Sequence, residues 1–468
     1  MTFSIETDLQ QIIKIHSHIF REPFPIESYH RKEEKNREIL LPVGFYNNDT
    51  IVGYCVVTCC TNTKTLRAWL GGVLPSFRMR GYFSSFYGWL IDYAQKHKYR
   101  YIKANTDNYK PAMIKMLVDY GFDIVEISET PYGDKRKICM ELEVHEPESL
   151  RISITNSCNL NCFFCHHEGI SIKQEAEIPI PELERLLIQA KKRQVAEITV
   201  TGGEPLMCPE IVSYILKECG RWAKSPLIKL ITNGMLLWED TAKALAKYSG
   251  EVKVHMSLHS LEASIAEIIE GRNFCMECAK STLVLLNQYN IPLRISCTVL
   301  NGLNHTPIQM RNIIDFAFMY HVQDVQFMEL LVTNAQKSLH RYYLSAPQII
   351  RSLETVLSEN YRICETKQGL KKNIWYIQSL KTNQKLTVSC YRLSCRCGCE
   401  NCTAQNDISV GSDLRCYPCY LQSNITCGNA ADSLQNAIWQ RDQFIRKQDA
   451  NFAKRHLFWG FDNDNTNQ

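Results

Sequence analysis

Apolar residues fall into two alternating periods over the middle of this chain. After residue 150 the run ISIT is followed by a helical pattern that places Leu183, Leu186, Leu187 and Ala190 on one face, and then by EITV. LIKLIT, VKVHMSL, LRISCTV and VQFMEL follow, each separated from the next by a helical stretch. Six short β-rich runs divided by helices predict a parallel βα array, whose loops converge at the carboxyl ends of the strands. Nearer the start, VLPSFRMRGYFSSFYGWLIDYAQKHKYRYIKANTDNYKPAMIKMLVDYGF predicts a strand end, a basic glycine turn and an amphipathic helix. A second strand and a helix ending at Gly121 and Phe122 complete that pattern.

The sharpest break is ELEVHEPESL, a charged stretch with one proline between two strand-like runs, and the boundary is set near Pro147. At 468 residues the chain exceeds one ordinary domain. The expected division is 1–147, a central domain at 148–335, a connecting segment at 336–385, a Cys-rich region at 386–430 and a tail at 431–468. The class is α/β.

Charge changes this picture little. Lys and Arg number 53 against 49 Asp and Glu, and the net +4 is spread along the chain, so no nucleic-acid partner is expected. MTFSIETDLQQIIKIH lacks the basic start and apolar core of a secretory signal, and no apolar run reaches membrane-spanning length. A cytoplasmic protein with no membrane partner is expected. There, 21 cysteines stay mostly reduced, and clustered ones point to metal or catalysis. Isolated Cys55, Cys139, Cys219 and Cys297 sit in apolar segments and read as core residues.

The first cluster is RISITNSCNLNCFFCHHEG, where Cys158, Cys162 and Cys165 follow the first strand in a CxxxCxxC spacing. Four-iron clusters and structural zinc both take four ligands, so three thiolates leave one metal position open. Zinc is the competing reading, closed by His166 or His167. TGGEP follows the second strand and TNG the third, which puts three motifs on one face. The glycines of TGGEP permit close approach of backbone, and the Glu204 carboxylate suits an ammonium group.

This combination resembles the radical S-adenosylmethionine superfamily over residues 150 to 335. The resemblance implies a partial (βα)6 barrel and a [4Fe-4S] cluster on Cys158, Cys162 and Cys165. Its open iron would chelate S-adenosylmethionine, and an electron from the cluster would cleave the sulfonium to a 5′-deoxyadenosyl radical. It further implies that Phe164, Gly202, Gly203 and Glu204 line this cofactor, with Ser257 near its ribose or methionine and Leu331 on the adenine side. A low-potential electron donor such as a flavodoxin or ferredoxin is implied as well.

Further on, Cys399, Cys402 and Cys416 form CxxC, thirteen intervening residues, then C. This resembles the second cluster of the GTP cyclase of molybdenum-cofactor biosynthesis, as do TNGMLL and CTVLNGLN, and implies an auxiliary [4Fe-4S] cluster. Structural zinc stays open here, because Cys395, Cys397 and Cys419 supply further thiolates. The cyclase holds its triphosphate with basic residues. At the aligned places this chain has Glu197, Thr199, Asn301, Ala404 and Asn406, and the terminal pair of glycines is absent. A triphosphate without its cations is poorly bound, so GTP is rejected as substrate while the subfamily, with its auxiliary clusters, is kept.

The N-terminal pattern resembles the Gcn5-related N-acetyltransferases (GNAT): Arg78, Gly81 and Phe83 match their RxxGxG/A coenzyme A loop except at the last position, and Asn108 and YGF match too. The resemblance implies acetyl-CoA or another acyl-CoA bound by Arg78, Arg80, Gly81, Phe83 and Asn108. The tyrosine that relatives use as general acid aligns with Leu117, and Tyr109 and Tyr120 lie nearby.

The expected protein is therefore a bifunctional enzyme: a radical domain acting on a small molecule or peptide, with an acyl-CoA-dependent N-acyltransferase domain. Two alternatives stand beside it. One is Elongator-like modification of transfer RNA, an analogy of domain content in reversed order. The other is a radical enzyme with a vestigial acetyltransferase module and a zinc knot.

Overall fold

A computed structural model describes the chain except residues 7–8, 31–38, 130–135, 145–147, 168–175, 272, 398–401, 403–406, 420, 423, 449–451 and 459–468. Pro147, Cys399, Ala404 and Asn406 thus lie outside the described residues. Two compact units divide the chain, one built mainly from residues 1–148 and the other from 149 onward.

The first unit is built on a seven-stranded sheet: β1 (Thr2–Ile5), β2 (Ile39–Asn47), β3 (Thr50–Cys60), β4 (Thr65–Val73), β5 (Tyr101–Asp107), β6 (Asp123–Glu129) and β7 (Arg136–Glu143). Their spatial order is β1-β2-β3-β4-β5-β7-β6, and only β4 and β5 pair in parallel. The parallel pair requires a crossover, supplied by the predicted amphipathic helix, Tyr82–Lys96. Phe86, Tyr87, Leu90 and Ile91 bury its apolar face against Phe45, Val57 and Leu66 of the sheet.

The second unit contains the predicted array: β8 (Ser149–Ser153), β9 (Glu197–Thr201), β10 (Leu227–Thr232), β11 (Val252–Ser257), β12 (Leu293–Thr298) and β13 (Asp324–Met328). These six strands are parallel and adjacent in chain order. The predicted helix face of Leu183, Leu186, Leu187 and Ala190 is buried. Among the described residues the sheet has two free edges and is longer than expected, with the order β14-β15-β16-β13-β12-β11-β10-β9-β8-β17. The added strands are β14 (Tyr361–Lys367), β15 (Lys372–Ser379), β16 (Lys385–Tyr391) and β17 (Asp407–Val410). Residues 336–385, read from sequence as a connecting segment, hold the helix Ala346–Asn360 together with β14 and β15.

Burial alternates along β10 and β11 and along most of β8 and β12, while consecutive residues are buried in β9 and β13. Leu150, Ile152, Ile198, Val200, Ile228, Leu230, Val254, Ile295, Val325 and Phe327 are buried on one face. The alternate positions carry Arg151, Glu197, Lys229, His255, Arg294 and Asp324. Parallel sheets usually bury both faces in apolar side chains. Here one face is a polar surface.

Candidate active site

Three loops meet at the carboxyl ends of β8, β9 and β10. The cysteine loop after β8 is fixed on one side by the loop after β9, since Gly203 donates its backbone NH to Thr155 O at 2.7 Å and Glu204 donates to Ser157 O at 2.9 Å. A Cβ at Gly203 would stand 2.1 Å from Ser157 O, and one at Gly202 would stand 2.3 Å from Thr155 O. The close approach that these glycines permit is therefore to the cysteine loop itself. On the other side, Asn161 and Phe163 donate backbone NH groups to Glu270 O and Ile269 O at 3.1 and 3.2 Å. The cysteine segment is clamped between a loop and the end of the helix Ala263–Glu270.

Within the clamp, backbone NH groups point at sulfur. Leu160 donates to Cys158 Sγ and His167 to Cys165 Sγ, both at 3.4 Å, and the Asn233 side-chain amide reaches Cys158 Sγ at 3.9 Å. Such donors favour thiolate over thiol. Burial opposes them: it pushes the Cys158 thiol up and the Cys162 thiol up to about 12. Cysteines held mostly by NH donors on a loop at strand ends suit a metal cluster, whose charge supplies the missing stabilisation.

Glu204 is buried, and three protein groups use its carboxylate. Oε1 accepts from Leu206 NH at 3.0 Å and from the Thr232 hydroxyl at 2.7 Å, while Oε2 accepts from Asn233 NH at 2.7 Å. Burial raises its pKa to about 7 against the pull of these donors. Glu204 thereby ties TGGEP to TNG, a bracing role that the pentapeptide alone does not reveal. Asn233 completes the tie, donating also to Asn159 Oδ1 at 2.8 Å.

Phe164 packs edge-on against Phe163 and His259, with ring centroids 5.6 and 5.2 Å apart. Ser257 and Leu331 are half-buried, at the end of β11 and three residues past β13. Two residues went unmarked in the sequence. His259 is buried, its Nδ1 accepts from Thr298 NH at 3.1 Å, and burial drives its pKa down to about 4, so it is a neutral acceptor. Glu270 is buried below the cysteine loop with Oε2 unpartnered, and burial lifts its pKa to about 8. Neither lies in a motif, which is why spacing could not mark them.

The polar face of the sheet lies beneath these loops. Lys229 pairs with Glu197, and Arg294 pairs with Asp324 at 2.6 Å while donating to Gln326 at 2.9 Å. His255 is pushed down to about 3 by burial and then by the charges of Arg294, Lys229, Arg151 and Lys372. The charges of four cations from four strands thus act on one imidazole.

In the first unit, the turn after β4 leads into the helix Tyr82–Lys96 through Gly81, whose φ of +81° is left-handed and whose absent Cβ faces open space. The Arg80 guanidinium lies over the Phe77 ring at 5.2 Å, and Arg78 Nε donates to Val73 O at 3.2 Å. Phe83 packs edge-on against Phe45, while its backbone NH belongs to the first helical turn, whose amides have no intrahelical partner. Asn108 Oδ1 accepts from Arg136 NH at 3.0 Å, bracing β5 against β7. Leu117 is buried in the core, Tyr109 is exposed, and the Tyr120 hydroxyl donates to Ser84 O at 2.5 Å.

Residues 152–317 match the Radical SAM superfamily and residues 9–122 the Acetyltransferase (GNAT) family. The chain thus carries a radical SAM domain preceded by a GNAT domain. A probable GTP 3′,8-cyclase of Thermococcus kodakarensis is 27% identical over 284 residues, 59% of this chain and 85% of that protein. One from Thermoplasma volcanium is 32% identical over 211 residues, 45% of this chain and 62% of that protein. Among solved structures, Streptococcus suis SuiB bound to the precursor peptide SuiA superposes with a TM-score of 0.51 at 18% identity. That match covers 64% of this chain and 66% of SuiB, so the chain spans about two thirds of that structure and shares its fold.

Beyond the radical SAM domain, the predicted second cluster is described in part. Cys402 is half-buried, and Cys399 lies outside the described residues. Cys416 is fully buried, and burial pushes its thiol up to about 12. It faces Cys427 across a short backbone ladder, with Cys427 NH donating to Cys416 O at 2.7 Å. The sequence reading gave Cys427 no place beside Cys416, because the two are neighbours only through the chain reversal between them. Among the described residues no helix is long and apolar enough to cross a membrane.

Proposed function

We propose that this radical SAM enzyme abstracts hydrogen from a small polar molecule or peptide, and that its GNAT domain transfers an acyl group from acyl-CoA to an amine. The observation that carries the reading is the clamped CxxxCxxC loop standing over a polar, half-buried sheet face. When bound, the cluster and S-adenosylmethionine supply one-electron cleavage of the sulfonium and the hydrogen-abstracting radical.

The chain's own residues do the rest. Cys158, Cys162 and Cys165 would hold the cluster, whose charge would keep the sulfurs as thiolates, with Asn233 and the backbone NH groups adding to that stabilisation. Glu204 fixes the second and third loops in register, so Gly202 and Gly203 present backbone at the cofactor's edge, with Phe164, Ser257 and Leu331 around it. Arg151, Lys229, Arg294 and Lys372 suit a substrate bearing carboxylate or phosphate, while Glu197 and Asp324 limit the net charge to less than a triphosphate needs. GTP is therefore not the substrate, although the relatives bear that activity in their names.

The turn at Gly81 and the first-turn amides of the helix that follows suit a pyrophosphate, with Arg78 and Arg80 adding charge. Cys399, Cys402 and Cys416 would bind an auxiliary [4Fe-4S] cluster. A low-potential flavodoxin or ferredoxin supplies the electron, and the protein works in the cytoplasm.

The test is 5′-deoxyadenosine release by the anaerobically reconstituted, reduced protein. GTP and cytosol split into small-molecule, peptide and RNA fractions are compared, with acetyl-CoA present and a Cys158→Ala control. Stimulation by small molecules or peptides supports the proposal. Stimulation by GTP or by RNA alone overturns the substrate assignment, and no release above the control overturns the radical one.

A further inference from the structure

The N-terminus of the helix Met276–Gln288 carries two cysteines that the radical site does not use. Cys275 is the helix N-cap and Cys278 stands in the first turn, with Met276 and Glu277 between them. Their sulfurs are 2.7 Å apart, the Cys278 thiol donating to Cys275 Sγ. Cys275 Sγ also accepts the Cys278 backbone NH at 3.3 Å. Both are free thiols and partly exposed.

Two thiols held in contact within one helical turn need little movement to join, and a helix N-terminus favours the anion that begins the reaction. The pair is also asymmetric. Cys275 is held below the ordinary thiol range by the Cys278 thiol and then by the Cys278 NH, whereas the same bond raises Cys278. A cap needs only the first sulfur. The second is surplus to it.

The pair is joined to the cysteine loop. Asn273, two residues before the cap, donates to Asn159 O at 3.1 Å, and Cys275 NH donates to Met235 Sδ at 3.3 Å. Met235 lies two residues past Asn233, whose side chain reaches Cys158 Sγ. A change at the cap therefore acts one hydrogen bond away from the candidate cluster loop.

We propose that Cys275 and Cys278 are a redox-active dithiol, converted reversibly to a disulfide by exchange with a small-molecule or protein disulfide. The Cys275 thiolate attacks one sulfur of the partner disulfide, whose S–S bond breaks and releases a thiolate. Cys278 then gives its proton to that leaving thiolate and attacks the Cys275 mixed disulfide, expelling the second thiolate, which takes the proton given up by Cys275. Two protein thiols lose two protons and two electrons, and one disulfide is reduced to two thiols. A dithiol of lower potential reverses the step.

Cleavage after Arg272 and Lys280 isolates Asn273–Lys280, NFCMECAK, which contains both cysteines and no others. The full-length, cluster-reconstituted protein is equilibrated anaerobically at graded ratios of reduced to oxidised dithiothreitol, acid-quenched, alkylated and digested. The expected result is a two-electron transition between a doubly alkylated peptide and one lighter by two hydrogens and unalkylated. A peptide doubly alkylated at every ratio overturns the proposal. So does protection of both thiols by one equivalent of zinc without any disulfide form. In Cys278→Ser, oxidised glutathione should stop at a mixed disulfide on Cys275, and an unmodified Cys275 overturns its assignment as the attacking thiol. None of these readouts depends on radical chemistry.

Discussion

Arg396 Nε stands 2.7 Å from Glu329 Oε1, and both side chains are almost wholly buried. This ion pair joins the segment just past β13 to the turn that begins the Cys-rich region, with Arg396 lying between Cys395 and Cys397. Tyr343 donates to the same Glu329 oxygen at 2.6 Å, and Leu393 NH donates to Oε2 at 3.2 Å. Arg396 also reaches Phe458 O at 2.7 Å. The Cys-rich region is thus anchored to the sheet by a desolvated charge pair.

Removing one member of such a pair strands the other charge. Arg396→Met is expected to destabilise the second unit by about 3–5 kcal/mol, because Glu329 would stay buried with only neutral donors. Urea unfolding followed by circular dichroism measures it, and a change below about 1 kcal/mol, as for an exposed pair, would contradict the anchoring role.

Asn233 connects the third loop to Cys158 and Asn159 without belonging to the cysteine set. Asn233→Ala should leave the fold intact and weaken cluster retention roughly 10–100-fold, the usual cost of losing a ligand-orienting partner. Iron release to a chelator is the readout, and wild-type kinetics would remove Asn233 from that role. Cys158→Ala, by contrast, should reduce 5′-deoxyadenosine formation to background.

Two buried histidines make one separable contribution to the pH dependence of stability. Both have pKa values below the unfolded value of 6.5, His255 at about 3 and His259 at about 4. At these two groups the unfolded chain binds more protons than the folded one between pH 6.5 and about 4, whereas Glu204 and Glu270, raised to about 7 and 8, act in the opposite sense above pH 4.5. The histidines' contribution is fully present above pH 6.5 and is lost as pH falls, at about 1.4 kcal/mol per pH unit for each. His255→Gln should roughly halve the loss that the two histidines cause between pH 6.5 and 4. Unfolding midpoints at those pH values decide it, and an unchanged slope would show that His255 does not carry the effect.

For the GNAT domain, Arg80→Ala should weaken acetyl-CoA binding roughly tenfold, the scale of one charge-assisted hydrogen bond. Isothermal calorimetry reads it. Tyr120→Phe should cost about 1 kcal/mol of stability and leave acyl transfer unchanged, since its hydroxyl is spent on Ser84 O. A loss of transfer in Tyr120→Phe would place the general acid there after all.

The parallel array was legible because its strands are short apolar runs spaced by amphipathic helices, and the cysteine loop because its chemistry is local in sequence. The same holds for the turn at Gly81, whose glycine and arginines are contiguous. Other features depend on residues that are distant along the chain. The bracing use of Glu204 needs Thr232 and Asn233 from another loop. Cys416 meets Cys427 through a chain reversal, and Arg396 finds Glu329 across 67 positions, from 329 to 396. The cations whose charges act on His255 come from four strands. Local spacing determined which elements form and which residues can ligate metal. Tertiary structure decided which carboxylates are buried and which charges meet, because desolvation and pairing depend on neighbours that only the folded chain brings together.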